Sequence, residues 1–557
     1  MAASSRSLAR PSFDEGLPGT SAHRAWTLRT LVSGAVAICV FTAFLAYYGL
    51  SCLQPDWGGD FQLYCAALAR LYRDLLHPMH ESLNVPGSQS MAYTPFLVSI
   101  ALLGKLFGAT PFRALQIAGL FNLSLFAFGA CFLFSRVSIH RQWWLPAASF
   151  IFTTLFLRWL HFGWSSETSL TNLQYVQPYP STFSWALAFI AFGLLDDVRT
   201  RRRPLELVAL IAVISLLLAC HVLTGSWVVG VVGLYGLWVS VQEKSARPLA
   251  WASFAIGAGL VPVLLWPYQP FFGQSSMQAV NEGSQFGRSP FIEFPNLYGL
   301  AIACFAYVLV RLRRHGFWLL ALLATLGVLF VFRQAGMSYG NRYAFFAAFF
   351  PQFIVAEVMA LGIFALLGPL PELSPSRKFA DLDRPLLVAL LAVALTVWLP
   401  SPMLARARQT VEYGTLWSPR ALLQRPSPHD AYYRQYAEVT ALVSADDLVI
   451  MPVARAVLDF ASITGASVVA TPLAAKVPDG GQRFRDVNRF FDPKASPRER
   501  VGIAEKYGAT KVLVPSWLFI LLPELVESFG EPIHHGEAYA LFRVKSSARA
   551  DAEPQSP

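Results

Sequence analysis

Apolar runs of about twenty residues recur along most of the chain and alternate with short polar segments. A helix needs about 20 apolar residues to cross a bilayer core about 30 Å thick, so the pattern predicts a polytopic membrane protein. The runs predict about eleven membrane-spanning helices. Their predicted ranges are 28–50, 114–135, 143–160, 180–195, 204–220, 223–241, 249–266, 294–312, 316–333, 343–368 and 385–400.

Two parts of the chain depart from this pattern. Residues 95–108 are apolar but short and contain Lys105, which predicts a helix lying in the membrane interface rather than a span. Residues 51–112 then form one large outer loop, with amphipathic helices predicted at 64–76 and 95–107. After Pro400 no spanning run occurs, and short strand and helix patterns alternate, which predicts an α/β domain. Strands are predicted at 447–451, 467–471, 511–515 and 539–544, and helices at 453–463, 496–507 and 518–529. Gly465 is expected to end the first of these helices, Ser496 to cap the second with Glu499 in the capping-box position, and residues 479–486 to form a polar loop.

The predicted domain organisation follows from these patterns. The helical membrane domain carries the predicted active site, and an α/β domain follows it on the outer side. The predicted ranges are a cytoplasmic N-terminal tail at 1–27, the membrane domain at 28–400, the extracytoplasmic α/β domain at 401–546 and a disordered tail at 547–557.

Composition and charge agree with a membrane protein. The chain is 55% hydrophobic and only 14% charged, whereas soluble domains carry about 25% charged residues. Although the net charge is +10, we find no separate basic domain and no nucleic-acid-binding signature. The basic residues lie between the spans and orient the chain with its N-terminus inside. The basic segments are 136–141, 199–203, 244–247, 311–314 and 377–384.

The six cysteines give no metal-binding pattern. Cys52 and Cys65 both fall in the first outer loop. Two readings remain open for them: a disulfide in an oxidising compartment, or two small apolar side chains near the membrane surface.

Polar residues at the outer ends of the spans are the candidates for chemistry. Asp56 and Asp60 follow the first span directly. Arginine binds phosphate with two parallel hydrogen bonds, and a carboxylate can accept the proton of an attacking hydroxyl. Taken singly, an arginine can snorkel to a headgroup and a histidine can cap a turn. Taken together, they indicate a site for a phosphate-bearing lipid and a hydroxyl nucleophile. The others are Glu167, Asn172, His221, Arg288, Arg333 and Arg342.

Two short motifs resemble the GT-C glycosyltransferases. Gly59-Asp60-Phe61-x-x-Tyr64 is followed by Tyr93-Thr94-Pro95 at the start of the interfacial helix. The resemblance is closest to the polyprenyl-phosphate-sugar mannosyltransferases and arabinofuranosyltransferases of bacterial envelopes. Their usual pattern is Asp-x-x-x-Tyr and then Tyr-Pro-Pro, so Thr94 replaces a proline here. The segments 507–514 and 539–544 also resemble the C-terminal domains of several GT-C enzymes.

The resemblance implies an enzyme of the bacterial inner membrane. It would move a sugar, a pentofuranose or a hexose, from a polyprenyl-phosphate donor to an envelope glycan or lipid acceptor on the outer face. The anomeric centre would invert, and no metal or other cofactor is implied, because a lipid phosphate is already a good leaving group. In this scheme Asp60 is the general base, favoured over Asp56, which orients the acceptor or is merely solvated.

The resemblance also implies substrate-binding roles. Arg342 is the first choice for the donor phosphate, with Arg333 and Arg288 behind it. His221, Glu167 and Asn172 are expected to contact donor or acceptor. Aromatic rings at a membrane interface commonly form the membrane belt, but four are placed where they could stack on sugars: Trp57, Tyr64, Tyr93 and Tyr339.

Other classes stay open. A lipid or glycan transporter usually places polar groups near the membrane midplane, on broken helices, and shows internal repeats. No clear repeat is present, and only Glu357 and His221 could lie deep in the membrane. A polysaccharide polymerase without GT-C chemistry and a non-catalytic assembly factor are the further alternatives. The position of the polar residues beside loops favours an interfacial enzyme.

Overall fold

The computed structural model describes a helical N-terminal part and a C-terminal part built around a β-sheet. The described residues are 20–53, 61–90, 92–137, 143–156, 173–201, 204–268, 304, 355–356, 358–363, 366, 377–393, 434, 436–453, 456–472 and 477–544. The N-terminal part is helical. Its helices are α1 (Thr20–Leu53), α2 (Phe61–Arg73), α3 (Pro95–Leu106), α4 (Pro111–Val137), α5 (Leu145–Phe156), α6 (Leu173–Val176), α7 (Pro180–Arg201), α8 (Pro204–Cys220), α9 (Val222–Glu243), α10 (Arg247–Leu265) and α11 (Arg377–Val393).

Within the described residues, four helices are long and apolar enough to cross a membrane: Gly34–Leu53, Pro111–Arg136, Thr224–Glu243 and Arg247–Leu265. Two further predicted spans are shorter apolar helices, Pro180–Leu195 and Pro204–Cys220. Large apolar side chains on the outside of these helices stay exposed, among them Val36, Phe128, Val208 and Phe254. Exposed apolar surface of this extent suits lipid rather than water, so the chain is a mostly helical membrane protein.

The predicted count of eleven spans reaches beyond the described residues. The spans predicted at 294–312 and 316–333 lie outside them apart from residue 304, and those at 343–368 and 385–400 are described only in part. At the other end of the chain α1 already begins at Thr20, whereas the first span is predicted from residue 28.

Helices α4 and α7 form the centre of the bundle and run in the same direction. At one end, Arg136 Nε lies 3.0 Å from Asp197 Oδ2. Nearer the other end, Asn122 Nδ2 donates to the backbone oxygens of Gln177 and Tyr179, at 2.8 and 3.1 Å. Between these polar contacts the core is packed with large side chains, including Phe126, Phe189 and Trp227.

Both helices predicted in the first outer loop are present. Predicted at 64–76, α2 covers Phe61–Arg73, and α3, predicted at 95–107, covers Pro95–Leu106. Helix α3 begins at Pro95 because Thr94 caps it, its hydroxyl accepting from the Leu97 N–H, and because proline suits the first helical position. One face of α3 is buried, while Leu102, Leu103 and Leu106 are exposed, as expected for a helix in the membrane interface.

The C-terminal part forms a five-stranded mixed sheet with the order β2-β1-β3-β5-β4. The strands are β1 (Leu448–Ile450), β2 (Ser467–Val468), β3 (Lys511–Pro515), β4 (His534–His535) and β5 (Tyr539–Arg543). Parallel pairing joins β1 to β2 and β3, and antiparallel pairing joins β5 to β3 and β4. The helices are α12 (Ala456–Thr464), α13 (Gly480–Phe490), α14 (Pro497–Tyr507), α15 (Ser516–Phe519) and α16 (Glu524–Phe529).

Most element predictions in this part are confirmed. Helix α14 begins after Ser496, whose hydroxyl accepts from the Glu499 N–H at 3.2 Å. The Glu499 carboxylate, however, binds Arg489 instead of closing a capping box. Helix α12 ends before Gly465, which has the positive φ of +67° that glycine adopts without strain.

Two predictions are wrong. The polar residues 479–486, predicted to form a loop, contain the start of helix α13. Its Arg483 is buried and binds Asp479, four residues earlier, which supports the first helical turn. The single helix predicted at 518–529 is two short helices, since Leu522-Pro523 interrupts the hydrogen-bond ladder between α15 and α16.

Candidate active site

Most predicted site residues lie outside the described part of the chain. These are Asp56, Trp57, Asp60, Glu167, Asn172, Arg288, Arg333, Tyr339 and Arg342. Their roles remain predictions. Three predicted residues are described: Tyr64, Tyr93 and His221.

Tyr64 lies in the first turn of α2, close to the predicted base in sequence. Its ring contacts that of Tyr179, with 5.2 Å between centroids and a 44° tilt. Tyr179 immediately precedes α7, so this contact joins the start of α2 to the start of α7. Helix α2 begins at Phe61, the residue directly after Asp60 in the sequence.

Tyr93 is enclosed by protein. Its side chain is 2% exposed, its hydroxyl donates to the backbone oxygen of Met79, and its ring meets Tyr268 edge to face at 5.2 Å. The Trp266 Nε1–H donates to the backbone oxygen of Tyr93 at 2.9 Å. Burial raises the pKa of the Tyr93 hydroxyl well above its ordinary value. In the described conformation Tyr93 therefore fixes the backbone that leads into α3 and presents no ring face to a sugar.

His221 caps helix α9. Its Nδ1 accepts the Thr224 N–H at 3.3 Å and lies 2.7 Å from the Thr224 hydroxyl. A ring nitrogen that accepts a backbone N–H carries no proton, which assigns the proton of neutral His221 to Nε2. The predicted contact with substrate would therefore use Nε2.

The three described residues lie at the same end of the bundle. Phe96, in the first turn of α3, stacks on Phe183 of α7 at 4.7 Å. Helix α3 also packs against α8, which ends at Cys220 beside His221, and the Phe96 backbone lies near the Cys220 sulfur. The Tyr64–Tyr179 contact brings the start of α2 to this end of the bundle, and the bond from Trp266 to Tyr93 brings the end of α10 there. Helices that are distant in sequence thus meet where the aromatic and histidine side chains were predicted.

Gln177 forms a buried polar centre at this same end. Its amide Nε2 donates to the Tyr48 backbone oxygen at 2.9 Å, and its Oε1 accepts from the Cys52 thiol at 2.8 Å. It therefore joins the end of α1 to the loop before α7.

The structure decides between the two readings of Cys52 and Cys65. Both are buried free thiols and do not form a disulfide.

A second polar cluster, formed by Arg70, His80, Glu81 and Ser467, lies where the first outer loop meets the C-terminal sheet. Arg70, buried in the last turn of α2, donates from Nη2 to Ser467 Oγ at 2.7 Å. Sequence patterns did not identify this cluster, because an arginine in an amphipathic helix normally faces water. A signal was present: Arg70 lies three residues before Arg73, on the same face of a helix that is followed by the polar residues His80 and Glu81.

His80 is neutral within this cluster. Its Nδ1 lies 3.4 Å from Glu81 Oε2, but the same nitrogen accepts the N–H groups of Ser82 and Leu83 at 3.3 and 3.4 Å. Burial lowers the pKa of His80, which outweighs the attraction of Glu81. The two side chains are therefore close without forming an ion pair. In the described part of the chain no group of three or more His, Cys, Asp or Glu side chains could hold a metal ion.

Comparison with known proteins finds similarity in structure only. No protein-family model and no curated protein matches the chain. Oligosaccharyltransferase AglB from Archaeoglobus fulgidus, in complex with an inhibitory peptide and a dolichol-phosphate, has 13% identity and a TM-score of 0.48, over 86% of this chain and 69% of its own. ArnT from Cupriavidus metallidurans has 14% identity and a TM-score of 0.48. The match covers 94% of this chain and 99% of ArnT. Arabinofuranosyltransferase AftD from Mycobacteria has 14% identity and a TM-score of 0.47. The match covers 91% of this chain and 40% of AftD.

These structural neighbours are GT-C glycosyltransferases, the superfamily that the sequence motifs resemble. Because the TM-scores are below 0.5 and the identities below 15%, we take neither activity nor site residues from them.

Proposed function

We propose that the chain is an integral membrane glycosyltransferase of a bacterial inner membrane. It transfers a pentofuranose or hexose from a polyprenyl-phosphate donor to an envelope glycan or lipid acceptor. The N-terminus is cytoplasmic, and the site and the C-terminal domain face outward. The charge pattern between the spans supports this orientation.

The observation that carries the proposal is the assembly at one end of the bundle. The start of α2, the start of α3 and the His221 turn meet there. Asp60 immediately precedes the first residue of α2. A carboxylate at the surface end of a helical bundle can meet a lipid-borne donor and a water-borne acceptor together, which a carboxylate at the bundle centre cannot.

The proposed reaction is a single displacement at the anomeric carbon. Asp60 accepts the proton of the acceptor hydroxyl while its oxygen bonds to that carbon, and the bond from carbon to phosphate oxygen breaks with inversion. The polyprenyl phosphate leaves with the bonding electrons. Arg342, Arg333 and Arg288 stabilise the charge that develops on it. Asp56, Glu167, Asn172 and His221 orient the sugars, and we expect no metal requirement.

The test compares two carboxylate variants in the full-length protein reconstituted in vesicles. Asp60→Asn is expected to lower transfer from a polyprenyl-phosphate-sugar about 10²- to 10⁴-fold, the usual contribution of a general base. Asp56→Asn, in the same segment, is the comparison variant and is expected to lower transfer less than Asp60→Asn, because an orienting carboxylate does not take up the proton. The opposite result would exchange the two roles. Substrate flux across the vesicle membrane without any transfer product would refute the enzyme in favour of a transporter.

A further inference from the structure

The first outer loop contributes an additional strand position to the C-terminal sheet. The Val468 N–H of β2 donates to the Ser82 backbone oxygen at 2.7 Å, and Leu83 pairs with Val468 in a parallel bridge. Leu83 is fully buried among side chains of the sheet and of α12, such as Val449 and Phe460. The edge of β2 is therefore covered by a segment that precedes it by 386 residues, the difference between 468 and 82.

Three side-chain bonds reinforce this junction. Arg70 Nη2 donates to Ser467 Oγ at 2.7 Å, and Arg73 Nη1 donates to the Ala445 backbone oxygen at 3.0 Å. From the opposite side, Arg483 Nη1 donates to Asn84 Oδ1 at 2.8 Å. Helix α12 also packs along α2. The last turn of α2 is thus held by the C-terminal sheet, while its first turn is held by the bundle through Tyr64.

We propose that Arg70 is a positioning residue for the reaction: by fastening the end of α2 to β2, it sets the angle of that helix and so the position of Asp60. This inference rests on the proposed function. Arg70 lies nine residues after Phe61, the difference between 70 and 61, which is roughly 14 Å along a helix. A tilt of about 4° at that distance would move the start of α2 by about 1 Å, and a misplacement of about that size can cost on the order of 10²-fold in rate.

The experiment uses Arg70→Ala, Arg70→Lys and Ser467→Ala in the full-length protein. Arg489→Ala is the control, because Arg489 is an exposed arginine of α13 whose partners, Glu499 and Asp492, are local. We expect kcat to fall about 10- to 100-fold in Arg70→Ala and about 3- to 10-fold in Ser467→Ala. The KM for the donor should stay within about twofold, since no donor contact is removed.

Two readouts separate positioning from general damage to the fold. Hydrogen exchange should accelerate in residues 61–73 but not in α14, which contributes no bond to the junction. Arg70→Lys keeps a charged donor on a long side chain, so it should restore part of kcat.

The proposal is overturned if Arg70→Ala and Ser467→Ala match Arg489→Ala in kcat, or if exchange in α2 rises while kcat stays unchanged. A wild-type protein without transfer activity would refute the proposed function. An Asp60→Asn variant with full activity would refute Asp60 as the base, and with it the positioning role of Arg70, without refuting the enzyme. If only the junction variants Arg70→Ala and Ser467→Ala show no fall in kcat, the positioning role of Arg70 is refuted and the proposed function stands.

Discussion

Truncating Leu83 tests whether the outer loop belongs to the C-terminal sheet. Leu83 is 0% exposed and lies in the core formed by the sheet and α12. Replacing a buried leucine by alanine removes apolar contacts and leaves a cavity, at a cost of about 2 to 5 kcal/mol. We therefore expect Leu83→Ala to weaken docking of residues 79–86 by at least about 2 kcal/mol.

The assay is native-state hydrogen exchange, read at the Val468 amide, whose bond to Ser82 joins loop and sheet. Since each 1.4 kcal/mol is a factor of ten, exchange at Val468 should accelerate about 30-fold or more. Leu76→Ala is the matched control, because Leu76 lies in the same loop and its side chain is 76% exposed. That control should change exchange by no more than about twofold, as surface substitutions usually stay within about 0.5 kcal/mol.

Equal exchange rates at Val468 in the two variants would contradict the docking of the loop. Fast exchange at Val468 in the wild-type protein would contradict it as well, because the amide would then lack its partner. A general acceleration that extends equally to α14 would instead assign Leu83 to the stability of the whole domain.

Three further predictions rest on the described contacts. Burial alone would raise the pKa of Asp447, but hydrogen bonds from Lys511, Thr510 and the Ser444 N–H lower it overall. The stability that the Asp447 carboxylate gives to the folded state is therefore fully present above the pKa of the unfolded state, about 4. It is lost as pH falls through the lower pKa of the folded state. Thermal midpoints of Asp447→Asn and wild type should differ at pH 7 and converge in acid; a constant difference would refute the assignment. Gln177→Leu should lower the free energy of unfolding by about 1 to 3 kcal/mol, because the Tyr48 backbone oxygen and the Cys52 thiol lose a buried hydrogen-bond partner. Thermal unfolding in detergent measures this, and an unchanged midpoint would contradict it. Gly465→Ala should lower the free energy of unfolding by about 1 kcal/mol or more, because φ at this position is positive and the added methyl would lie 2.9 Å from Arg73 Nη2. The same assay measures this, and equal midpoints for the variant and wild type would show that the turn relaxes.

Local signals explain which elements sequence reasoning could find. Thr94-Pro95 and Ser496-Pro497 each combine a capping hydroxyl with a proline at the first helical position, and both helices begin there. The break at Pro523 is a local signal of the same kind. At 479–486 the polar residues predict a loop, but the i,i+4 ion pair of Asp479 and Arg483 and the bond from Arg483 to Asn84 favour the helix.

Long-range pairing explains what the sequence could not show. Arg70 and Ser467 are 397 residues apart, and neither residue type nor spacing indicates that they meet. Tyr64 and Tyr93 are predicted from the motifs that resemble the GT-C enzymes, and His221 from its position at the outer end of a predicted span; all three lie at the same end of the bundle. Their individual contacts, such as the burial of Tyr93, depend on neighbours from α10 and from residues 79–87 that a linear pattern does not reveal.

The shared sheet has a consequence for the order in which the protein folds. Residues 79–86 are synthesised long before β2, so they must wait beside the membrane while the later helices insert. An unpaired strand is a template for wrong pairing, and prolines at its ends, Pro78 and Pro86, limit how far such pairing can extend. Pairing across so long a stretch of chain is intrinsically slow. We therefore expect the junction between the loop and the C-terminal sheet to form late in the folding of this protein.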